Sequence, residues 1–250
     1  MTLKTIGNED FYAVVSSVGG TVQEFVYHGE NLIYKGRQIG GKSRGGIPIC
    51  FPFFGKPIAC FSSIPQHGWL RNQELSMQGY AEEYGILFVE GNTPTEEFPW
   101  QLKYEVTVSI DSEVDALSLK LVTERLKDGV DFGAPINPGF HPYFCADRSN
   151  GIATCMARVG SRVLTDFKKE SEKIVANTPI IIKSGSRFLK MQLSGDFNPA
   201  SQLTLWSGSP GEYFCVEPIL TQQDVFAKTE GGKFLKEGEK STIIMQLSVM

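Results

Sequence analysis

The sequence predicts an all-β fold, a large antiparallel β-sandwich, and three observations carry that reading. Segment after segment alternates apolar and polar residues with a period of two, the mark of strands with one buried face. Turn signals built on glycine, proline, asparagine and aspartate separate those segments. Helical periodicity is nearly absent. No change of composition marks a linker and no internal repeat is evident, so residues 1–250 read as one domain. Many strands with few helices build a sandwich or a barrel. The concave face of a sandwich this large offers a groove for a ligand.

The elements follow in chain order. "NLIYK" (Asn31–Lys35) has strand-like residues. "GRQIGGKSRGGIPICFPFFG" (Gly36–Gly55) opens with a match to the phosphate-binding pattern G-x-x-x-x-G-K-[ST], in Gly36, Gly41, Lys42 and Ser43. That pattern needs a helix after it, because the helix N-terminus holds the phosphates. Gly45 and Gly46 would cost a helix roughly 1 kcal/mol each, and Pro48 and Pro52 roughly 3 each. The match is therefore read as coincidental, and the stretch as a structured loop entering a short buried strand, "IPICF". "TPTEEF" (Thr93–Phe98) starts with a Thr-x-x-Glu capping pattern and predicts at most a short helical turn. "LKYEVTVSI" (Leu102–Ile110) puts Leu102, Tyr104, Val106, Val108 and Ile110 on one face. "ALSLKLV" (Ala116–Val122), "RFLKMQL" (Arg187–Leu193), "QLTLW" (Gln202–Trp206) and the closing "TIIMQLSV" alternate likewise. Turns are expected at Gly19-Gly20, Asp128-Gly129, Asn150-Gly151 and Ser209-Pro210-Gly211.

Composition narrows the partners. Hydrophobic residues make up 41% and charged residues 21%, with a net charge of −4. No long basic run appears, which argues against nucleic acid, although a few local arginines suffice for a small anion. The N-terminus has no apolar segment of signal-peptide length and no run approaches membrane-spanning length, so the expected location is cytoplasmic. The five cysteines, Cys50, Cys60, Cys145, Cys155 and Cys215, form no C-x-x-C pair and read as core thiols in a reducing compartment. Three histidines without ligand spacing give no metal site.

Four stretches are unlike ordinary strand or turn sequence: "RGGIPICFPFFG" headed by Arg44, "QHGWLRN" with His67, Trp69 and Arg71, "NPGFHPYF" with His141, and "CVEPILTQQD" with Glu217. Each has a plain structural reading: a satisfied core histidine, a strand-end carboxylate, surface arginines. What raises the functional reading is their shared style. Ionisable residues stand inside aromatic, proline-punctuated segments, where burial is costly without a purpose. A histidine and a carboxylate at strand ends of one sandwich could form an acid–base pair. Trp69, Phe140, Tyr143 and Phe144 could offer flat apolar faces to a sugar ring.

In this order, the four stretches resemble the aldose 1-epimerase (galactose mutarotase-like) family, and most closely its branch acting on glucose 6-phosphate. That branch carries R-G-G-I-P-x-x-F-P-x-F-G, then H-G-x-x-R, H-x-Y-F and V-E-P, here Arg44–Gly55, His67–Arg71, His141–Phe144 and Val216–Pro218. "EEFPWQLKYEVTVSI" (Glu96–Ile110) is similar to a strand entry of the family. The resemblance implies a β-supersandwich with a ring-opening pair at His141 and Glu217. It implies His67 in the sugar site, Arg44 and Arg71 on sugar oxygens or a phosphate, and Asp166 as the family's site aspartate. Glu217 would act as carboxylate on the C1 hydroxyl and His141, protonated, on the ring oxygen. The glycines of the first motif would let the backbone pass close to the sugar. Phe53, where the phosphate branch commonly has glutamine, and Pro142, where it has threonine, lean toward free sugars. The expected partner is a small sugar or sugar phosphate, without cofactor, metal, nucleic acid or membrane, for a monomer or weak dimer. The rival readings are an epimerase of free hexoses and a non-catalytic sugar-binding protein. A glycoside hydrolase would typically need a second carboxylate.

Overall fold

The computed structural model describes residues 1–39, 42–56, 59–78, 84–173, 178–198, 201–222 and 232–250. Among them every extended element is a β-strand, and the helical turns are two short 3-10 turns, Ala59–Phe61 and Leu70–Asn72. No helix among the described residues is long and apolar enough to cross a membrane. The expected antiparallel sandwich is what forms.

Its back layer is a nine-stranded sheet in the order Arg162–Leu164, Met156–Val159, Ile180–Ser184, Arg187–Gly195, Lys240–Val249, Ala116–Arg125, Leu102–Asp111, Gly85–Gly91 and Ser76–Gln78. The alternation read from the sequence is the burial pattern observed. Leu102, Tyr104, Val106, Val108 and Ile110 are buried, and Leu102–Asp111 pairs residue for residue with Ala116–Arg125. The facing layer is a six-stranded sheet in the order Lys168–Lys173, Gln202–Trp206, Tyr213–Ile219, Gly139–Phe140 and Ile49–Cys50, with Tyr143–Cys145 also paired to Tyr213–Ile219. One apolar cluster joins the two inner faces. Val106, Leu119, Leu121 and Met245 come from the back sheet, and Phe140, Phe144, Leu205, Phe214 and Val216 from the facing one. A four-stranded sheet (Leu3–Gly7, Phe11–Ser16, Val22–Tyr27, Glu30–Asn31), the local pair Arg37–Ile39 with Lys42–Arg44, and the long-range pair Ala134–Ile136 with Lys233–Leu235 complete the architecture.

Three local expectations need correction. Asn31–Lys35 is not a strand beyond Asn31, because its backbone donors serve two different sheets: Leu32 N–H binds Phe25 O, and Tyr34 N–H binds Tyr143 O. Thr93–Phe98 forms no helical turn. Thr95 and Phe98 instead close a loop, with Thr95 N–H bonded to Phe98 O and Phe98 N–H to Thr95 Oγ1. Cys60 is exposed, next to buried Phe61, and Cys145 and Cys155 are half-buried, whereas Cys50 and Cys215 are buried as expected. All five cysteines are free thiols. The phosphate-pattern stretch folds as a strand pair, Arg37–Ile39 with Lys42–Arg44, and runs on into the buried strand Ile49–Cys50, so no helix follows it. Gly41 of that pattern lies outside the described residues.

Candidate active site

Register alone places His141 opposite Glu217. Gly139 pairs with Ile219 and, four residues further, Tyr143 pairs with Cys215, so the midpoint of the same register sets His141 opposite Glu217. On the other side of the same strand, Thr204 pairs with Glu217 and Trp206 with Cys215. Paired residues share a face of the sheet. Two rows therefore cross it side by side: Thr204, Glu217 and His141, then Trp206, Cys215 and Tyr143. This is the face turned away from Phe140, Phe144, Phe214 and Val216, which pack into the core. The strand "YFCVEPI" is buried at every position because both its faces are covered.

His141 Nε2 lies 3.1 Å from Glu217 Oε1, and both side chains are only 4% exposed. The imidazole is clamped. Tyr143 stacks on it at 4.8 Å and 11°, Phe54 lies at 5.8 Å and 26°, and the His67 ring meets it edge-on at 5.2 Å. Its own backbone N–H donates to Pro48 O, tying it to the first motif. His67 Nδ1 accepts a hydrogen bond from Gly55 N–H, which in a neutral ring leaves the proton on Nε2. Arg44 lies over the Trp206 ring at 4.8 Å and acts electrostatically on Tyr143, whose hydroxyl has no aligned hydrogen bond. Arg71, in the turn Leu70–Asn72, acts electrostatically on both His67 and His141. The structure thus brings five of the six predicted residues together: Arg44, His67, Arg71, His141 and Glu217. Asp166 is exposed, one residue before Phe167, whose carbonyl accepts from Ser207 N–H. It stands at the open edge of the sheet beside the Trp206–Ser207 segment, outside the buried rows.

Burial decides the protonation of the pair. It pushes the Glu217 carboxyl up to about 8, with Cys215 and Arg44 pulling the other way. It pushes His141 well below the usual imidazole range, as do His67, Arg71 and Arg44. Near neutral pH the pair therefore holds a single proton that rests on Glu217. The resemblance led to the expectation of a carboxylate facing an imidazolium. The proton count is the same, but its resting place is the opposite one, because two charges this deeply buried cost more than a neutral pair. His67, also pushed down, to about 3, by burial and then by Arg71 and Arg44, is neutral.

Four polar atoms on this face are buried without an aligned protein hydrogen bond: His141 Nδ1, Tyr143 OH, Thr204 Oγ1 and Glu217 Oε1. Such orphans are few in a native protein and each needs a reason. Four of them on two adjacent rows, beside half-buried Arg44 and Arg71, describe a surface shaped for a polar, hydroxyl-rich ligand.

Several functional side chains were not read from the sequence. Trp206, Cys215, Thr204 and Phe54 line this face, and a strict count of strand parity from Glu217 and its partner strand would have found the first three. Parity also corrects the aromatic platform. Of the four aromatics expected there, only Tyr143 is at the site. Phe140 and Phe144 point into the core, and Trp69 packs on Phe51 and Phe98. Trp69 lines a separate cavity of about 370 Å³ with Ser63, Gln73, Asn92 and Phe98, which includes none of the predicted site residues. The glycines of "RGGIP" are also explained differently. A Cβ on Gly45 would lie 2.5 Å from Gly36 Cα, and one on Gly46 2.5 Å from Val22 O. At both positions backbone passes close to backbone, which a side chain would block.

A family model described as aldose 1-epimerase matches residues 2–178. His141 falls inside the match and Glu217 beyond it, so the partnership of Glu217 rests on the sheet register. Among solved structures, the chain is similar to a galactose mutarotase related enzyme from Lactobacillus acidophilus, with 15% identity and a TM-score of 0.77 over 100% of this chain and 97% of that one. A galactose mutarotase-like protein from Lactobacillus casei is 18% identical, with a TM-score of 0.76 over 100% of both chains. Another from Clostridium acetobutylicum is 15% identical, with a TM-score of 0.68 over 98% of this chain and 94% of that one. At such identities the likeness is one of fold.

Proposed function

We propose, from the premise that this chain belongs to the aldose 1-epimerase family, that it interconverts the α and β anomers of a hexose 6-phosphate by acid–base ring opening. The observation that carries the reading is the buried His141–Glu217 pair, at 3.1 Å and set among unsatisfied polar atoms.

Anomer exchange needs one group to remove the O1 proton and another to give a proton to the ring oxygen. The pair supplies both with its single proton. A bound sugar, with the Arg44 guanidinium nearby, makes the site more polar and favours the charge-separated arrangement. The proton then crosses from Glu217 to His141 without exchange with solvent. Glu217 takes the O1 proton, His141 gives one to O5, and the C1–O5 bond breaks. Rotation about C1–C2 turns the other face of the aldehyde toward O5, and closure reverses both transfers. Tyr143 and Phe54, both stacked on the imidazole, fix its orientation. All steps use protein side chains and sugar oxygens, so a chelator is expected to leave the rate unchanged. The pair also outweighs the non-catalytic reading, since a binding module has no use for a buried carboxyl of raised pKa.

The phosphate follows from the arginines. Among the described residues, no carboxylate lies within ion-pair distance of Arg44 or Arg71, and both are half-buried. Uncompensated guanidinium groups in such a place favour an anionic ligand, and their planar donor forks suit phosphate oxygens. Phe53 is buried and packs with other aromatic side chains. Its ring stacks on Phe61 at 5.2 Å and meets Phe98, within the aromatic cluster, while Phe54 is the one beside His141.

Arg71→Ala is expected to raise KM for glucose 6-phosphate by at least ~10-fold, the loss of one charge-assisted contact, and to leave KM for glucose nearly unchanged. Polarimetry or NMR exchange spectroscopy on both sugars checks this. High salt should weaken the phosphorylated substrate selectively. Equal turnover of the two sugars, with no salt effect on either, would transfer the assignment to free hexoses.

A further inference from the structure

The row geometry brings together a third side chain that the acid–base chemistry does not use as a proton carrier. Cys215 Sγ, a His141 ring nitrogen and a Glu217 carboxylate oxygen all lie within 4.8 Å of one another, and all three residues are buried. Cys215 and Glu217 project from the same face of one strand, and His141 stands on the rung opposite. We propose that this triad is a binding site for one thiophilic divalent cation, Zn²⁺ or Cd²⁺, which inhibits the protein by capturing its acid–base pair.

The ligand types select the ion. A thiolate with an imidazole is a soft to borderline set that suits zinc and its heavier congener, whereas magnesium and calcium need several oxygen ligands. The distances fit as well. Bonds of about 2.0–2.3 Å at a tetrahedral zinc put its ligand atoms about 3.3–3.8 Å apart. The imidazole–carboxylate separation of 3.1 Å is close to that range already. The remaining separations need side-chain movement of at most about 1 Å. His141 Nδ1 and Glu217 Oε1 are buried without an aligned hydrogen bond, and capture exchanges the Cys215–Glu217 hydrogen bond for bonds to the ion. Capture releases two protons to solvent, one from the Glu217 carboxyl and one from the Cys215 thiol, both of which burial holds protonated. The resulting thiolate and carboxylate neutralise the ion's two charges, so Arg44 and Arg71 face no added net charge. Three protein ligands leave a fourth position at the ion for water.

The binding claim stands apart from the proposed reaction; only its inhibitory consequence rests on that reading. Wild-type chain titrated with Co²⁺ should develop a thiolate-to-cobalt charge-transfer band in the near ultraviolet and strong visible bands of a tetrahedral ion. Competition with a chromophoric chelator should show one Zn²⁺ per chain. Cys215→Ser should lose the near-ultraviolet band and weaken Zn²⁺ by more than about tenfold. Cys50→Ser and the exposed Cys60→Ser should keep both. Glu217→Gln should weaken Zn²⁺ while keeping the thiolate band, a check that holds even if Cys215→Ser folds poorly. No band in the wild type, or a band lost with Cys60→Ser in place of Cys215→Ser, overturns the site. Zn²⁺ bound through Cys215 in a chain that shows no anomer exchange when metal-free would uphold the site and remove the enzymatic reading.

Discussion

Glu217→Gln is expected to slow anomer exchange by ~10²–10⁴-fold, the usual worth of a positioned acid or base, and at the same time to raise the melting temperature. The two effects have one cause. Burial lifts the carboxyl from 4.5 to about 8. Between those values the folded state holds a proton that the unfolded chain has released, so stability falls as pH rises through that window. The penalty is absent below about pH 4.5 and complete above about pH 8. Glutamine has nearly the same shape and no such titration. The variant's advantage in melting temperature should therefore be larger at pH 9 than at pH 6. His141 works in the opposite sense. Its folded pKa lies below 6.5, so stability falls as pH drops below 6.5, and this holds equally in both proteins. The pair loses its only proton near pH 8, so kcat/KM of the wild type should decline there. Full activity in the variant would dismiss Glu217 as the acid–base group. A melting-temperature gain independent of pH would mean that the carboxyl does not titrate in that window.

A site that weakens the fold is one that sequence patterns describe poorly. The back sheet was legible because one rule governs it: a strand with one covered face alternates, as Leu102–Asp111 does residue by residue. The strand that carries Glu217 obeys no such rule, since core and site cover its two faces and "YFCVEPI" reads as unbroken burial. Its ionisable residue was found through a motif, and its neighbour Cys215 passed as a core thiol. "FHPYF" shows the same limit. Its motif marked every aromatic as a candidate platform, whereas parity sends Phe140 and Phe144 inward and leaves His141 and Tyr143 at the site. Along the chain the histidines and cysteines have no metal-ligand spacing. The cysteine–glutamate–histidine triad assembles across a strand pair, where linear spacing carries no signal. Asn31–Lys35 failed for another reason. Its residues suit a strand, but their hydrogen-bond partners are divided between two sheets, and propensity gives way to tertiary context.

The second large effect is expected at Gly68, in the segment that delivers His67 and Arg71. Gly68 has φ +76°, a left-handed conformation that costs an L residue about 1–2 kcal/mol. A methyl group there would also overlap the Phe51 carbonyl oxygen and approach Pro52 N to 2.8 Å. These are backbone atoms, so no rotamer change relieves the overlap. The neighbouring bonds resist as well: Gly68 N–H donates to Pro65 O, His67 N–H to Gly55 O, and Gly68 forms an isolated parallel bridge with Phe51. Relief requires the His67–Arg71 segment to lift away from the strand that leads to the His141 rung. Gly68→Ala should therefore destabilise the fold by more than about 3 kcal/mol, a fall in melting temperature of roughly 6–12 °C for a chain of this size. It should also lower kcat/KM, because His67 loses its contact with His141. Gly29→Ala isolates the conformational part. Gly29 has nearly the same φ, +78°, and its added methyl would meet nothing within 4 Å. That variant should lose only about 1–2 kcal/mol and keep its activity. If thermal melts show equal losses at Gly68 and Gly29, the close approach at Phe51 does not hold this segment in place, and the position of His67 and Arg71 needs another cause.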